Sequence, residues 1–194
     1  APPPSNRVLA PYFVDHVVNQ AEAFLGRSLA GAGHEIHTTL DVVAQVAAER
    51  AVAEGLADLD GAELQAALVS LDSGSGEVRA WVGGRHYETS FCDRVANARR
   101  QAGSTFKPFV FAAAVEAGVV APGDTVADAP VLVAYGDEYW LPRNYDRRFE
   151  GWVTVDEALA ASRNVPTVRV SLATGLDAVR DFAARFDLVD SRAE

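Results

Sequence analysis

The sequence predicts an α+β fold, an antiparallel sheet packed between helices, and three observations carry that expectation. Leu64–Leu71 and Val78–Val82 are β-rich runs joined by Asp72-Ser73-Gly74-Ser75-Gly76-Glu77, the pattern of an antiparallel hairpin. Asp41 stands before an Ala- and Val-rich segment reaching Leu56, as an N-cap stands before a helix. From Ser104 to Gly118 the apolar residues run all round the helical wheel, which marks a buried helix.

Taken in order, residues 1–10 are proline-rich and read as an extended linker. Phe13, Val17, Ala21 and Phe24 recur at helical spacing between Pro11 and Leu29. His34-Glu35-Ile36-His37-Thr38-Thr39-Leu40 alternates and is rich in β-branched residues, so a strand is predicted there. On a strand His34 and His37 would face opposite sides and could not share a metal ion. The helix after Asp41 is expected to end at Gly55 to Gly61, and Gly83-Gly84 closes the second hairpin strand. Residues 85–103 read as a loop and 119–150 as irregular. Thr154 and Glu157 form a capping box before a short helix ending near Ser162. Two further helical patterns follow, around 165–173 and 176–187, parted by Gly175.

The 194 residues are 49% apolar, enough for a sizeable core. A net charge of −10 argues against nucleic acid as a partner, because phosphate binding needs clustered cations. Cys92 is the single cysteine, which excludes an internal disulfide framework and a Cys-type zinc cluster. The sequence holds no apolar run of membrane-spanning length. Its first residues lack the basic start and apolar stretch of a signal peptide.

One position stands apart chemically. Lys107 is the only lysine, while every other basic side chain of this type is arginine. Guanidinium stays charged, whereas a desolvated ammonium can lose its proton and act as a base. Ser104 lies three residues earlier, a spacing that puts hydroxyl and amine on one helical face. A weak hydroxyl, an adjacent base and the free amides of a helix start are what an activated nucleophile requires. The plain alternative is a capping serine followed by a solvated lysine. Ser162-Arg163-Asn164, at the end of a later short helix, would by itself be a C-cap and a turn. Together the two sites match the S-x-x-K and S-x-N parts of the motif set of β-lactamases and penicillin-binding proteins.

From Ala10 onward the chain resembles a class A penicillin-binding protein. The likeness is carried by Pro11-Tyr12-Phe13-Val14-Asp15-His16-Val17, Thr38-Thr39-Leu40-Asp41, Ala67–Asp72 with Gly76–Gly84, Gln101–Pro108, and Pro142-Arg143-Asn144-Tyr145. Ala102 stands where the family usually has proline. The resemblance implies a β-lactamase/transpeptidase-like fold, with a linker region over 1–34 and the N-terminal portion of the transpeptidase domain over 35–194. It implies peptidoglycan D,D-transpeptidation: Ser104 as nucleophile, Lys107 as its base, Ser162 as proton relay and Asn164 holding Lys107 and the substrate amide. Trp140, Asn144 and Tyr145 are the expected substrate-binding residues. Partners would be peptidoglycan stem peptides and β-lactams, with no cofactor and no metal.

The family's Lys-Thr-Gly motif is absent, and no lysine remains to supply it. The chain is therefore expected to be a segment of a longer protein, incomplete at the C-terminus and inactive alone. The parent is expected to be anchored at the extracytoplasmic face of a bacterial membrane and to carry a glycosyltransferase domain. Two alternatives remain open: a carboxypeptidase or β-lactamase-like hydrolase, and a non-catalytic scaffold module of the same fold.

Overall fold

The computed structural model describes residues 8–31, 33–57, 59 and 64–189. The expected extended stretch at 1–7 and the stop at Gly61 lie outside the described residues. By packing, the chain divides into two units, Ala1–Arg100 and Gln101–Glu194. Helices and short antiparallel pairs make both, as an α+β fold requires.

In the first unit, α1 (Pro11–Leu25), α2 (Val42–Gly55) and the hairpin β1 (Leu68–Leu71) with β2 (Val78–Val82) build the core. Asp41 caps α2 as predicted, its carboxylate accepting from the Ala44 N–H at 2.9 Å. Asp72 likewise closes the hairpin turn by accepting from the amides of Gly74 and Ser75. The first strand is shorter than the predicted Leu64–Leu71. Leu71 pairs with Val78 but Ser70 pairs with Ala80, so Arg79 is an extra residue in β2. That bulge changes the strand's facing. Ala80 and Val82 pack on Ala48, Val52 and Leu56, whereas Val78 and Trp81 join Tyr12, Phe13 and Val17 of α1. The hairpin thus lies between two helices.

The outer edge of β2 is covered without another strand. Buried Gln45 accepts from the Trp81 N–H at 2.7 Å and donates to the Trp81 carbonyl at 3.0 Å. The Asp41 N–H donates to the Arg79 carbonyl. The predicted strand over 34–40 does not form: residues 34–39 are an exposed, unpaired run that touches β2 through Thr39, and half-buried Leu40 packs against the cluster that holds Trp81. Without the strand, the facing argument for His34 and His37 lapses. Gly83 and Gly84 are required sterically. A Cβ on either would come within 2.5 Å of Asp93 Oδ1 or the Tyr12 hydroxyl. The predicted loop 85–103 contains a short helix α3 (Arg94–Asn97), capped by Asp93, which also accepts from the Trp81 indole at 2.8 Å.

In the second unit, α4 (Lys107–Glu116) packs with α5 (Val155–Ala160), α6 (Asn164–Thr174) and α7 (Leu176–Ala184). Val110, Phe111, Ala113, Ala114, Val155, Ala158, Val170 and Val179 form their shared core. Thr154 and Glu157 make the predicted capping box at α5. The stretch 119–150, read as irregular, carries three strands: β3 (Thr125–Asp128) pairs with β6 (Gly151–Thr154) just beyond it, and β4 (Val133–Tyr135) pairs with β5 (Glu138–Trp140). One central sheet was expected, and the described residues form three separate two-stranded pairs.

Candidate active site

Ser104 does not start the α-helix. It lies on a 3-10 turn, Gly103–Phe106, and Lys107 is the first residue of α4. Pro108 explains the change of winding. It has no N–H to give the Ser104 carbonyl an i+4 bond, so that carbonyl accepts from the Lys107 N–H instead. Ser104 is exposed and Lys107 is 9% exposed. The amide of Ser104 belongs to the first turn, where N–H groups lack an intrahelical acceptor.

The Lys107 side chain reaches the segment between α5 and α6. Its Nζ donates to Ser162 Oγ at 2.9 Å, to Asn164 Oδ1 at 2.7 Å and to the Ser162 carbonyl. Three acceptors match the three protons of an ammonium. Burial pushes the Lys107 pKa down from the ordinary lysine value, because desolvation disfavours the charged form. The structure therefore gathers Lys107, Ser162 and Asn164. The Ser104 hydroxyl makes no hydrogen bond among the described residues, so its direct link to Lys107 is not present in this arrangement.

Ser162 occupies a special backbone position. It has φ 53° directly after α5, its N–H donates to the Leu159 carbonyl, and the Arg163 N–H donates to the Ala158 carbonyl. This is the Schellman ending of a helix, with serine in the left-handed place where glycine is usual. The plain C-cap reading of Ser162 and its place at the amine hold together: the helix ending is what turns its hydroxyl and carbonyl to Lys107.

Asn164 then opens α6 and also donates from Nδ2 to the Arg143 carbonyl at 2.9 Å. Asn144 is 3% exposed. Its Oδ1 accepts from the N–H groups of Asn164 and Val165, and its Nδ2 donates to Asp128 Oδ1 and the Arg148 carbonyl. Its amide is fully engaged within the protein. Trp140, on β5, is half exposed, and Tyr145 is wholly exposed. Sequence reasoning missed Arg163, which is nearly buried and bonds Asp128 at 3.3 Å and Asp146 at 2.8 Å. Glu150 is its third carboxylate partner. These acids are 13 to 35 residues away in sequence, and no local pattern links them.

Residues 66–191 match the penicillin binding protein transpeptidase domain. Penicillin-binding protein 1A of Neisseria gonorrhoeae is 40% identical over 126 residues, 63% of this chain and 16% of that protein. Penicillin-binding protein 1B of Escherichia coli is 38% identical over 180 residues, 88% of this chain and 21% of that protein. The chain thus spans about a fifth or less of the curated relatives it matches. Among solved structures, PonA1 of Mycobacterium tuberculosis in complex with penicillin V is similar at a TM-score of 0.78 and 31% identity. That match covers 92% of this chain and 46% of the other. The chain belongs to the penicillin-binding protein transpeptidase family, with homology to its class A members 1A and 1B.

Proposed function

We propose that the chain carries the acylating residues of a peptidoglycan D,D-transpeptidase. One observation supports this above the rest: a buried lysine amine held by Ser162 and Asn164, three residues after an exposed serine. A hydrophobic side chain or an arginine would serve a purely structural core at less desolvation cost or with better ion pairing.

Ser104 Oγ attacks the carbonyl carbon between two terminal D-alanines, and its proton passes to the neutral amine of Lys107. The Ser104 N–H faces the developing oxyanion as one of its donors. When the tetrahedral species collapses, the C–N bond breaks and the leaving amine takes up a proton relayed by Ser162. The amine of a second stem peptide then attacks the acyl-enzyme, freeing Ser104 and forming the cross-link. The neutral amine of Lys107 has two N–H bonds, so it keeps two of its three acceptors and turns its lone pair to the Ser104 proton, and apo hydrogen bonds of this sort tighten on substrate binding. A β-lactam acylates the same oxygen by ring opening. Trp140 and Tyr145 offer exposed aromatic faces to the substrate. Asn144, its amide engaged, acts as support. The working protein carries a glycosyltransferase domain and a membrane anchor on the extracytoplasmic side. Among the described residues no helix is long and apolar enough to cross a membrane.

A fluorescent penicillin tests the proposal in the full-length protein. Covalent labelling lost in Ser104→Ala is the expected result. Absence of labelling in the folded wild type would leave a scaffold module. Product analysis with an amine acceptor against water separates transfer from hydrolysis.

A further inference from the structure

Asp128 is the most deeply buried charge of the second unit, with no exposed surface. Every contact it makes is with a donor. Oδ1 accepts from Asn144 Nδ2 at 2.7 Å; Oδ2 accepts from the Glu150 N–H at 3.2 Å and lies 3.3 Å from Arg163 Nε. From Asp128 two routes lead to the one segment, residues 162–165. One runs through Asn144, whose Oδ1 holds the amides of Asn164 and Val165. The other runs through Arg163, the residue between Ser162 and Asn164. Asp146 and Glu150, both on the solvent side, hold the rest of that guanidinium.

We propose that Asp128 is a positioning residue, which through Asn144 and Arg163 fixes where Ser162 and Asn164 present their oxygens to Lys107. The inference rests on the reading of Lys107 as the base of Ser104. Burying a carboxylate and a guanidinium is costly before pairing, and apolar residues of like volume often serve stability as well. The geometry returned here is a segment pinned from both sides while Ser162 holds a left-handed backbone. That backbone is unfavourable for a residue with a Cβ and persists only where its surroundings over-determine it.

Only an acceptor at both oxygens fits the site. In Asp128→Asn the amide nitrogen must point at another donor, whichever way it turns. Arg163→Lys replaces a planar fork by a point charge that cannot span three carboxylates.

The test uses the full-length protein, with penicillin acylation resolved into a non-covalent Kd and a first-order acylation step, alongside amide hydrogen exchange over residues 162–165. Asp128→Asn is expected to slow the acylation step about 100-fold, the scale of an ångström of misplacement. Kd should stay within about threefold, and exchange at Asn164 and Val165 should rise. Arg163→Lys, the milder change, should follow in the same direction and serves if Asp128→Asn does not fold. An unchanged acylation step, or unchanged exchange at Asn164 and Val165, overturns the proposal. If the wild type is not acylated at all, the reading of function fails, and the exchange result alone decides whether Asp128 positions this segment.

Discussion

The two units bury polar groups for different ends. Of the described residues that are both polar or charged and buried, Gln45 alone lies in the first unit; Lys107, Asp128, Asn144, Arg163 and Thr167 lie in the second. Gln45 is a neutral amide that closes the edge of β2 by pairing with both backbone groups of Trp81. An edge left open is a site for unwanted strand pairing, so this polar group works for the fold. The second unit instead buries an amine, a guanidinium and a carboxylate within one region joined by hydrogen bonds. Groups that are so costly to desolvate mark the place where geometry, more than stability, is being fixed.

Breaking each kind of burial should give opposite outcomes. Lys107→Arg keeps a charge but removes the base, and should lower penicillin acylation about 1,000-fold or more, within the range of general-base contributions. Stopped-flow or gel labelling of the full-length protein reads this. In the first unit, Gln45→Leu leaves the Trp81 N–H and carbonyl unsatisfied. It should cost about 2 to 4 kcal/mol of stability in denaturant unfolding, with the acylation rate of the remaining folded protein unchanged. An acylation defect there would break the contrast.

Ser162→Gly sharpens it within a single residue. Glycine relieves the left-handed backbone at φ 53° and should stabilise the second unit by about 1 kcal/mol. The same change deletes one of the Lys107 acceptors and should slow acylation about tenfold to 100-fold. Stability and rate moving together would argue that Ser162 is a C-cap and nothing more. Tyr145→Ala should have the smallest effect. A wholly exposed ring contributes nothing to the core, so unfolding should be unaltered while affinity for a stem-peptide analogue weakens a few-fold.

What the sequence made legible follows the range of the interactions. Asp41, Asp72 and the Thr154–Glu157 box act within three residues, and each forms as read. Lys107, Ser162 and Asn164 meet across more than fifty residues, and only the motif set made that meeting foreseeable. The 34–40 run has strand composition but finds no ladder among the described residues, because β2's edge is already taken by Gln45 and Asp41. The β4–β5 hairpin did leave a signal, Gly136-Asp137, a two-residue turn with Gly136 at φ 58°. The four-residue strands β3 and β6 left almost none. The ion cluster on Arg163 left none, since its partners, Asp128 and the Asp146–Glu150 loop, lie 13 to 35 residues away in sequence.

The pH dependence of penicillin acylation by the full-length protein tests the central claim most directly. A base must be neutral to act, and burial shifts Lys107 so that its neutral form persists to lower pH than usual. The acylation step is therefore expected to rise with pH along a limb whose midpoint lies below the ordinary lysine value of about 10.4, and Lys107→Arg should abolish that limb. A limb at the ordinary lysine value, or the same limb in Lys107→Arg, would contradict the assignment of Lys107 as the base for Ser104.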